Sequence, residues 1–208
     1  MVQYFGQLEN AFQRMKIING CSDTEVSFHF DADGNGTLDT AWPDGYYYNP
    51  SATRNECFVF HPDGGGLNYR DPPLEYLIDA ADYLQSGYGM YDFTGGLNYD
   101  GIGSTCFGGS SDCTDLSVTL KGVTEEFCRA FNKKVFNDDT IPEHETWAWN
   151  PSYGDATSFF RGQYRGWSAT PTLAHPAVSF LSGNPMGCFK VFTSSPAQYV
   201  IYSVLLAR

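Results

Sequence analysis

The residues that follow Met1 have the spacing of an amphipathic helix, and this helix constrains the fold more than any other segment. Over Val2–Ile18, large apolar side chains recur at steps of three and four residues, which places them on one helix face. Asn19 and Gly20 then end the helix, because both residue types tolerate the left-handed backbone conformation found after helix C-termini. The predicted packing face consists of Phe5, Leu8, Phe12 and Met15.

The rest of the chain has the composition of a body built from strands and loops. Aromatic residues make up 16% of the 208 residues, with 22 Gly and 11 Pro, which is typical of short strands joined by turns. No linker or internal repeat divides the sequence, and its length supplies one sizeable core. We therefore expect a single α+β domain over residues 1–208. In it the N-terminal amphipathic helix packs on an antiparallel β-sheet, with short extra helices and long loops rich in Gly and aromatic residues.

Local patterns place the elements of this body, since alternation predicts strands and amphipathic spacing predicts helices. Leu116, Val118 and Leu120 alternate and fit either a strand or a short helix. Residues 86–111 have loop composition, and residues 137–186 carry aromatic side chains without a period, which we interpret as an insertion or variable region. The predicted strands are Thr24–Asp31 with His29 on its exposed side, Glu56–His61, Cys188–Phe192 and the central Tyr199–Ala207, and the predicted helices are Pro73–Gln85 and one beginning at Thr124.

The net charge of −12 argues against two classes of function. The chain has 24 acidic and 12 basic residues, whereas binding to nucleic acid or to anionic lipid requires a cationic surface. No nucleic-acid partner is therefore expected. An acidic chain is compatible with a secreted protein, with a calcium-binding protein, or with both.

Six cysteines are spread over the chain, and none lies in a C-x-x-C pair. The even number indicates three disulfides, which form in oxidising compartments outside the cytosol. Fifteen pairings remain open, and the alternative is six buried thiols in a cytosolic protein. The disulfide candidates are Cys21, Cys57, Cys106, Cys113, Cys128 and Cys188.

The most specific motif is the segment DADGNGTLD at residues 31–39. Its alternate oxygen-bearing side chains, with a Gly at the sixth position, match the first part of an EF-hand loop, in which such oxygens converge on calcium. The closing Glu is replaced by Trp42, and Asp44 is the expected substitute. The alternative is a solvated turn. The predicted ligands are Asp31, Asp33, Asn35, Thr37, Asp39 and Asp44.

The sequence gives no specific sign of catalysis, and we predict that the protein is not an enzyme. It contains no nucleophile elbow, phosphate-binding loop or zinc-protease motif, and a carboxylate pair is never specific in so acidic a chain. A group of aromatic residues fits either a glycan-binding face or a loop that buries its own rings. This group contains Trp147, Trp149, Tyr153, Tyr164 and Trp167.

Four segments resemble the bacterial type IV pilin-like and pseudopilin-like proteins. They are the helix that ends at Gly20, the stretch FVFHPDGGGL at Phe58–Leu67, the helix TEEFCRAFN at Thr124–Asn132, and the closing YVIYSVLLAR at Tyr199–Arg208. The resemblance covers about half of the chain. It implies that residues 1–20 are the C-terminal half of a spine helix and that the apolar half upstream, which would contact the membrane, is missing from this sequence.

The resemblance implies a structural subunit of an extracellular pilus or pseudopilus. Such a subunit resides in the inner membrane before assembly and at the cell surface afterwards, and its partners are further copies and other pilin-like subunits. The alternative is a secreted, calcium-stabilised module that binds glycans or surfaces. A secreted hydrolase is the third hypothesis, and no motif favours it.

Overall fold

A computed structural model describes residues 1–30, 48–82, 88–97, 99, 101–103, 114–144, 160–164, 181–191 and 197–208. The contacts among residues group the chain into two compact units. Unit 1 consists of Met1–Arg70 and Phe159–Tyr164, and unit 2 consists of Asp71–Ser158 and Arg165–Arg208. A single folding domain over residues 1–208, and the role of 137–186 as an insertion, stay predictions.

Unit 1 begins with the helix α1, Val2–Ile17. Its amphipathic spacing places apolar side chains on one face, and Gly20 follows the helix with a φ of 66°, a conformation that glycine adopts without steric cost. All four residues of the predicted packing face are fully buried, at 0% exposure: Phe5, Leu8, Phe12 and Met15.

Where the structure describes unit 1, neither of the strands that alternation predicts at Thr24–Asp31 and Glu56–His61 is formed. In the described residues the two segments meet in one isolated parallel bridge, Ser27 to Phe58, and Asn55–Cys57 forms a 3₁₀ helix. The pairing is short because the chain turns sharply after Phe58, whose carbonyl oxygen accepts the Gly65 N–H at 3.0 Å. A Cβ at Gly64 would lie 2.1 Å from that same oxygen, so this turn requires glycine.

The predicted exposed side of the first of these segments is also wrong. Ser27 is 0% and His29 is 1% exposed, so both sides of the segment are buried. The His29 ring packs edge-on to Tyr48 at 5.7 Å and lies 6.5 Å from the ring of Phe58. Alternation alone could not show that unit 1 covers this segment on both sides.

Unit 2 is built on a sheet with the strand order β1-β2-β5-β4-β3. Four strands are antiparallel, and β3 is a two-residue strand that pairs in parallel with β4 at the edge. The α+β class is thereby confirmed, and β5 is central as predicted. The strands are β1 Asp92–Leu97, β2 Asp115–Val123, β3 Glu143–His144, β4 Met186–Val191 and β5 Gln198–Leu206.

The helix α2, Glu125–Phe136, packs on the sheet and begins where predicted. The Thr124 side chain caps it by accepting the Phe127 N–H at 3.2 Å, and it ends at Asn137, a non-glycine residue with a φ of 59°. A side-chain cap of this type stabilises a helix by about 1 kcal/mol.

Two further expectations for unit 2 need correction. The predicted helix Pro73–Gln85 is replaced, in its described part, by two 3₁₀ turns at Leu74–Tyr76 and Ala80–Asp82. The segment between them is extended because the Ile78 N–H donates to the Gly122 carbonyl at 2.8 Å, at the end of β2. The strand β1 lies where a loop is predicted, and the ambiguous segment around Val118 is the strand β2.

Candidate functional site

The predicted calcium ligands, Asp31 to Asp44, lie outside the residues that the structure describes. Among the described residues, no three His, Cys, Asp or Glu side chains are grouped so that they could hold a metal ion. The structure does describe both chain segments that flank the predicted loop. These flanks form the base on which a calcium loop would stand.

One side chain, Asn49, ties the two flanks of the predicted calcium loop together. Its amide nitrogen donates to the carbonyl oxygens of Thr24 at 2.8 Å and Val26 at 2.7 Å, and its oxygen accepts the Ser51 N–H at 2.9 Å. Asn49 is 0% exposed, so these three hydrogen bonds satisfy a buried amide. The segment before the loop and the segment after it are therefore held side by side.

Aromatic rings fix the residue that enters the predicted loop. The ring of Phe30 stacks on Tyr69 with centroids 3.8 Å apart, and Phe60 packs edge-on to both rings. Such pairs stabilise a fold by about 0.5–1.5 kcal/mol beyond the burial of their area. Unit 1 thus holds Phe30, next to the first predicted ligand, in one position.

Of the aromatic group proposed for glycan binding, the structure describes only Tyr164. Its ring packs edge-on to Phe160 at 5.3 Å, and Phe160 is 0% exposed and packs against Phe28 in turn. Tyr164 is thus part of the packing of unit 1, as expected if the group buries its own rings. The four other residues of the group lie outside the described part of the chain.

Four of the six cysteines form two disulfides, one in each unit. Cys21 pairs with Cys57 in unit 1, and Cys128 pairs with Cys188 in unit 2, where the bond joins α2 to β4. The remaining two candidates, Cys106 and Cys113, lie outside the described residues. Because disulfides persist in oxidising compartments, the two bonds are consistent with an extracellular protein.

The disulfide of unit 1 lies against a guanidinium group. Nη2 of Arg54 is 3.4 Å from the Cys57 Sγ and 3.8 Å from the Cys21 Sγ, and it also donates to the Asn19 carbonyl at 3.4 Å. The Asn19 side chain in turn donates to the Glu56 carbonyl at 2.8 Å. Side-chain hydrogen bonds and one disulfide therefore join the end of α1 to the 3₁₀ helix.

In unit 2, the sheet carries a row of buried polar side chains that sequence reasoning missed. They alternate along β2 with the apolar residues and share one face of the sheet. Asp115, 1% exposed, accepts the Tyr99 N–H at 3.1 Å and the Arg208 N–H at 2.8 Å. Burial nevertheless raises the pKa of Asp115 to about 6, against the effect of these hydrogen bonds and of the nearby Arg208 charge.

The same row continues to the edge of β1. The Tyr99 hydroxyl bonds the Ser117 Oγ at 2.8 Å, and burial raises the pKa of Tyr99 well above its usual value. The Lys121 Nζ donates to the Asp92 Oδ2 at 3.0 Å across the β1–β2 pair. These groups hold β1, the Tyr99 backbone and the end of β5 to β2, so their role in the described structure is to position the strands.

A second missed residue is Asn132 on α2. Its amide nitrogen donates to the carbonyls of Thr140 and Cys188, and its oxygen accepts the Cys188 N–H, each at 2.8 Å. Asn132 therefore bonds the edge of β4 that faces away from β5, at Cys188. Two residues further along the same edge, β3 pairs with Lys190. The only sequence signal is a polar residue next to Phe131 on the buried face of α2.

In the part of the chain that the structure describes, no helix combines the length and the apolar character needed to span a membrane. Searches against protein-family models, curated proteins and solved structures found no match to this chain.

Proposed function

We propose that this chain is the head of a structural subunit of an extracellular type IV pilus or pseudopilus-like filament. In this proposal, subunits assemble with one another and with other pilin-like subunits through the N-terminal helix. The subunit would occupy the inner membrane before assembly and the cell surface afterwards.

The observation that carries the proposal is the division of α1 into two faces. Phe5, Leu8, Phe12 and Met15 are fully buried, whereas Glu9, Asn10 and Arg14 are exposed. A helix with one face buried from Phe5 to Met15 and the opposite face exposed is suited to act as the lower part of a spine. The four antiparallel strands of the sheet and the disulfide between α2 and β4 support the same proposal.

The coding sequence upstream of Val2 tests the filament proposal. A pilin-like subunit requires about 25–30 apolar residues there, enough for a membrane-spanning helix, preceded by a short basic leader. A conventional cleaved signal peptide at that position would contradict the proposal. A second test is oxidative cross-linking of Glu9→Cys on intact cells. If α1 lies in a filament, gel electrophoresis should show a series of cross-linked oligomers.

The second candidate function is a secreted, calcium-stabilised module that binds glycans or surfaces. The observation that favours it is the base of the predicted loop, where Asn49 ties Thr24 and Val26 to the segment that follows the loop. A loop with its two flanks held together loses less conformational entropy when it closes on a cation. Calcium would then stiffen unit 1, and the Trp-rich segment would supply the binding face.

Calorimetric titration of metal-stripped protein with Ca²⁺ tests the second candidate. Binding is expected in the wild type and is expected to be lost in Asp31→Ala and Asp33→Ala. Asp63→Ala, which changes an exposed carboxylate of unit 1 outside the predicted ligand set, is the matched control and should bind normally. A wild type that shows no heat of binding would remove calcium from the account.

A further inference from the structure

The two described disulfides differ in their surroundings. Cys128 and Cys188 are both 0% exposed, and their backbones are held by Thr124 and Asn132. Cys21 is 4% exposed, and the disulfide that it forms lies under the guanidinium of Arg54. The filament proposal gives this guanidinium no role.

We propose that the Cys21–Cys57 disulfide is a redox-sensitive link that thiols reduce more readily than Cys128–Cys188, because Arg54 stabilises Cys57 as the leaving thiolate. A cationic donor next to sulfur favours the thiolate over the thiol. A sulfur that is stable as a thiolate also leaves more readily in thiol–disulfide exchange.

The geometry assigns a different role to each sulfur. Cys57 Sγ is the closer of the two to Arg54, at 3.4 Å, so it is the leaving group. Cys21 is the more exposed residue, at 4% against 1% for Cys57, and its Sγ lies 3.5 Å from the Glu56 carbonyl oxygen. That oxygen can accept the S–H of reduced Cys21, so Cys21 is held as the neutral thiol.

The exchange proceeds in two steps, with a dithiol as reductant. A thiolate of the dithiol attacks Cys21 Sγ, a new S–S bond forms, and the electron pair of the old bond leaves with Cys57 Sγ. The second thiol of the reductant attacks the mixed disulfide and releases Cys21, which takes up a proton. The dithiol loses two electrons to become a disulfide, the protein gains them, and the second proton passes to solvent.

Contacts independent of the sulfur bond keep Cys57 beside Arg54 after reduction. The Cys57 N–H donates to the Arg54 carbonyl at 3.0 Å, and the Ser27 N–H donates to the Cys57 carbonyl at 2.9 Å. Among the described carboxylates, Glu25 is one whose charge interacts with this guanidinium. Its pKa is lowered chiefly by hydrogen bonds from Ser22 and in smaller part by the charge of Arg54.

The proposal is tested by equilibrating the whole protein in buffers with graded ratios of reduced to oxidised dithiothreitol. Free thiols are then alkylated and assigned by tryptic peptide mapping, since the four cysteines lie in different tryptic peptides. We expect Cys21–Cys57 to be half reduced at a ratio at least tenfold lower than Cys128–Cys188, which corresponds to about 30 mV. Half reduction of both bonds at the same ratio would overturn the proposal.

Variants of Arg54 separate its effect from that of exposure. Arg54→Gln should raise the ratio needed for Cys21–Cys57 about tenfold and leave Cys128–Cys188 unchanged, whereas Arg54→Lys should retain most of the wild-type behaviour. Arg14→Gln, on the exposed side of α1, is the matched control. An unchanged ratio in Arg54→Gln would overturn the role of Arg54.

The pH dependence of alkylation gives a readout that needs no variant. In the reduced wild type, iodoacetamide should react with Cys57 at a lower pH than with Cys21. Identical pH profiles for the two thiols would overturn the assignment of Cys57 as the stabilised thiolate, even if Arg54→Gln failed to fold.

Discussion

The two units of this protein are stabilised by different kinds of interaction. In unit 2 the backbone hydrogen bonds of five strands form one continuous ladder, and α2 packs on it. In unit 1 the described strand pairing is a single bridge, and side chains, one disulfide and stacked rings supply the other links. A Gly-rich chain segment can therefore be ordered without a sheet, provided that a few side chains satisfy its backbone.

Each unit contains one fully buried asparagine in its described part, and the pair shows the difference most clearly. Asn132 continues the hydrogen bonding of an existing sheet edge at Cys188. Asn49 connects chain segments around Thr24 and Val26 that have no ladder of their own. A buried asparagine side chain thus adds to the hydrogen bonds of a sheet in unit 2, and it takes the place of strand pairing in unit 1.

The disulfides are expected to give the largest effects. Their sequence separations of 36 and 60 residues correspond to about 4 kcal/mol each in the loop-closure model. We expect Cys21→Ala with Cys57→Ala, and Cys128→Ala with Cys188→Ala, to lower the free energy of unfolding by similar amounts in urea titrations. A loss below about 1 kcal/mol for the unit 1 pair would contradict the conclusion that unit 1 depends on its disulfide.

The next largest effects on the free energy of unfolding are expected for substitutions of the two buried asparagines. Asn49→Leu removes three hydrogen bonds and leaves buried carbonyls and an N–H without partners, at an expected cost of about 3 kcal/mol or more. Asn132→Leu should cost a similar amount, because it also removes three. Limited proteolysis locates the damage. Cleavage should appear first in unit 1 for Asn49→Leu and first in unit 2 for Asn132→Leu, and the same cleavage pattern in both would contradict the account.

Asp115 predicts a pH dependence that belongs to unit 2. Its folded-state pKa of about 6 lies above its usual 3.8, so the folded state binds a proton first as the pH falls. The contribution of Asp115 to the free energy of unfolding therefore increases by about 2 to 3 kcal/mol when the pH is lowered from 7 to 4.

The difference in stability between wild type and Asp115→Asn isolates this contribution. This subtraction removes the contributions of the carboxylates of Glu25, Glu125 and Asp138, whose pKa values are lowered and which act in the opposite direction. The difference should change between pH 7 and pH 4, as followed by urea titrations at each pH. If the difference did not change with pH, burial would not raise the pKa of Asp115 in the folded state.

The smallest effects are expected for two lysine–carboxylate pairs within the sheet. Lys121 and Asp92 have side chains that are 17% and 12% exposed, whereas Lys190 and Glu143 are 30% and 46% exposed. Lys121→Met should cost about 2 kcal/mol because it removes the ion-pair partner of the mostly buried Asp92 side chain. Lys190→Met should cost less than about 1 kcal/mol. Thermal unfolding of the two variants compares them directly.

The sequence predicted the elements whose evidence is local. Both α1 and α2 follow from apolar spacing, and Thr124 is a local cap signal. The central position of β5 follows from its run of apolar residues. The strand β1 was missed because its sequence, DFTGGL, has two glycines and forms a strand only through pairing with β2.

The candidate site was less predictable, because its residues act over long separations in sequence. Asp115 is held by a partner 93 residues away, and Asn132 by one 56 residues away. An isolated polar residue on an apolar face gives no sign of such a partner. The EF-hand-like spacing remains a prediction, since its ligands lie outside the described residues, and so do the filament and the absence of enzymatic activity.

Native-state hydrogen exchange, read residue by residue on the oxidised protein, tests the central comparison most directly. We predict the slowest exchange for amides in the β2–β5 ladder, such as Val118 and Ile201, and exchange at least tenfold faster for the Ser27 and Val59 amides of unit 1. This expectation follows because the strand pairing described in unit 1 is a single bridge, which opens locally more easily than a continuous ladder. Equal or slower exchange at Ser27 and Val59 would contradict the contrast between a unit held by side chains and a disulfide and a unit held by a ladder.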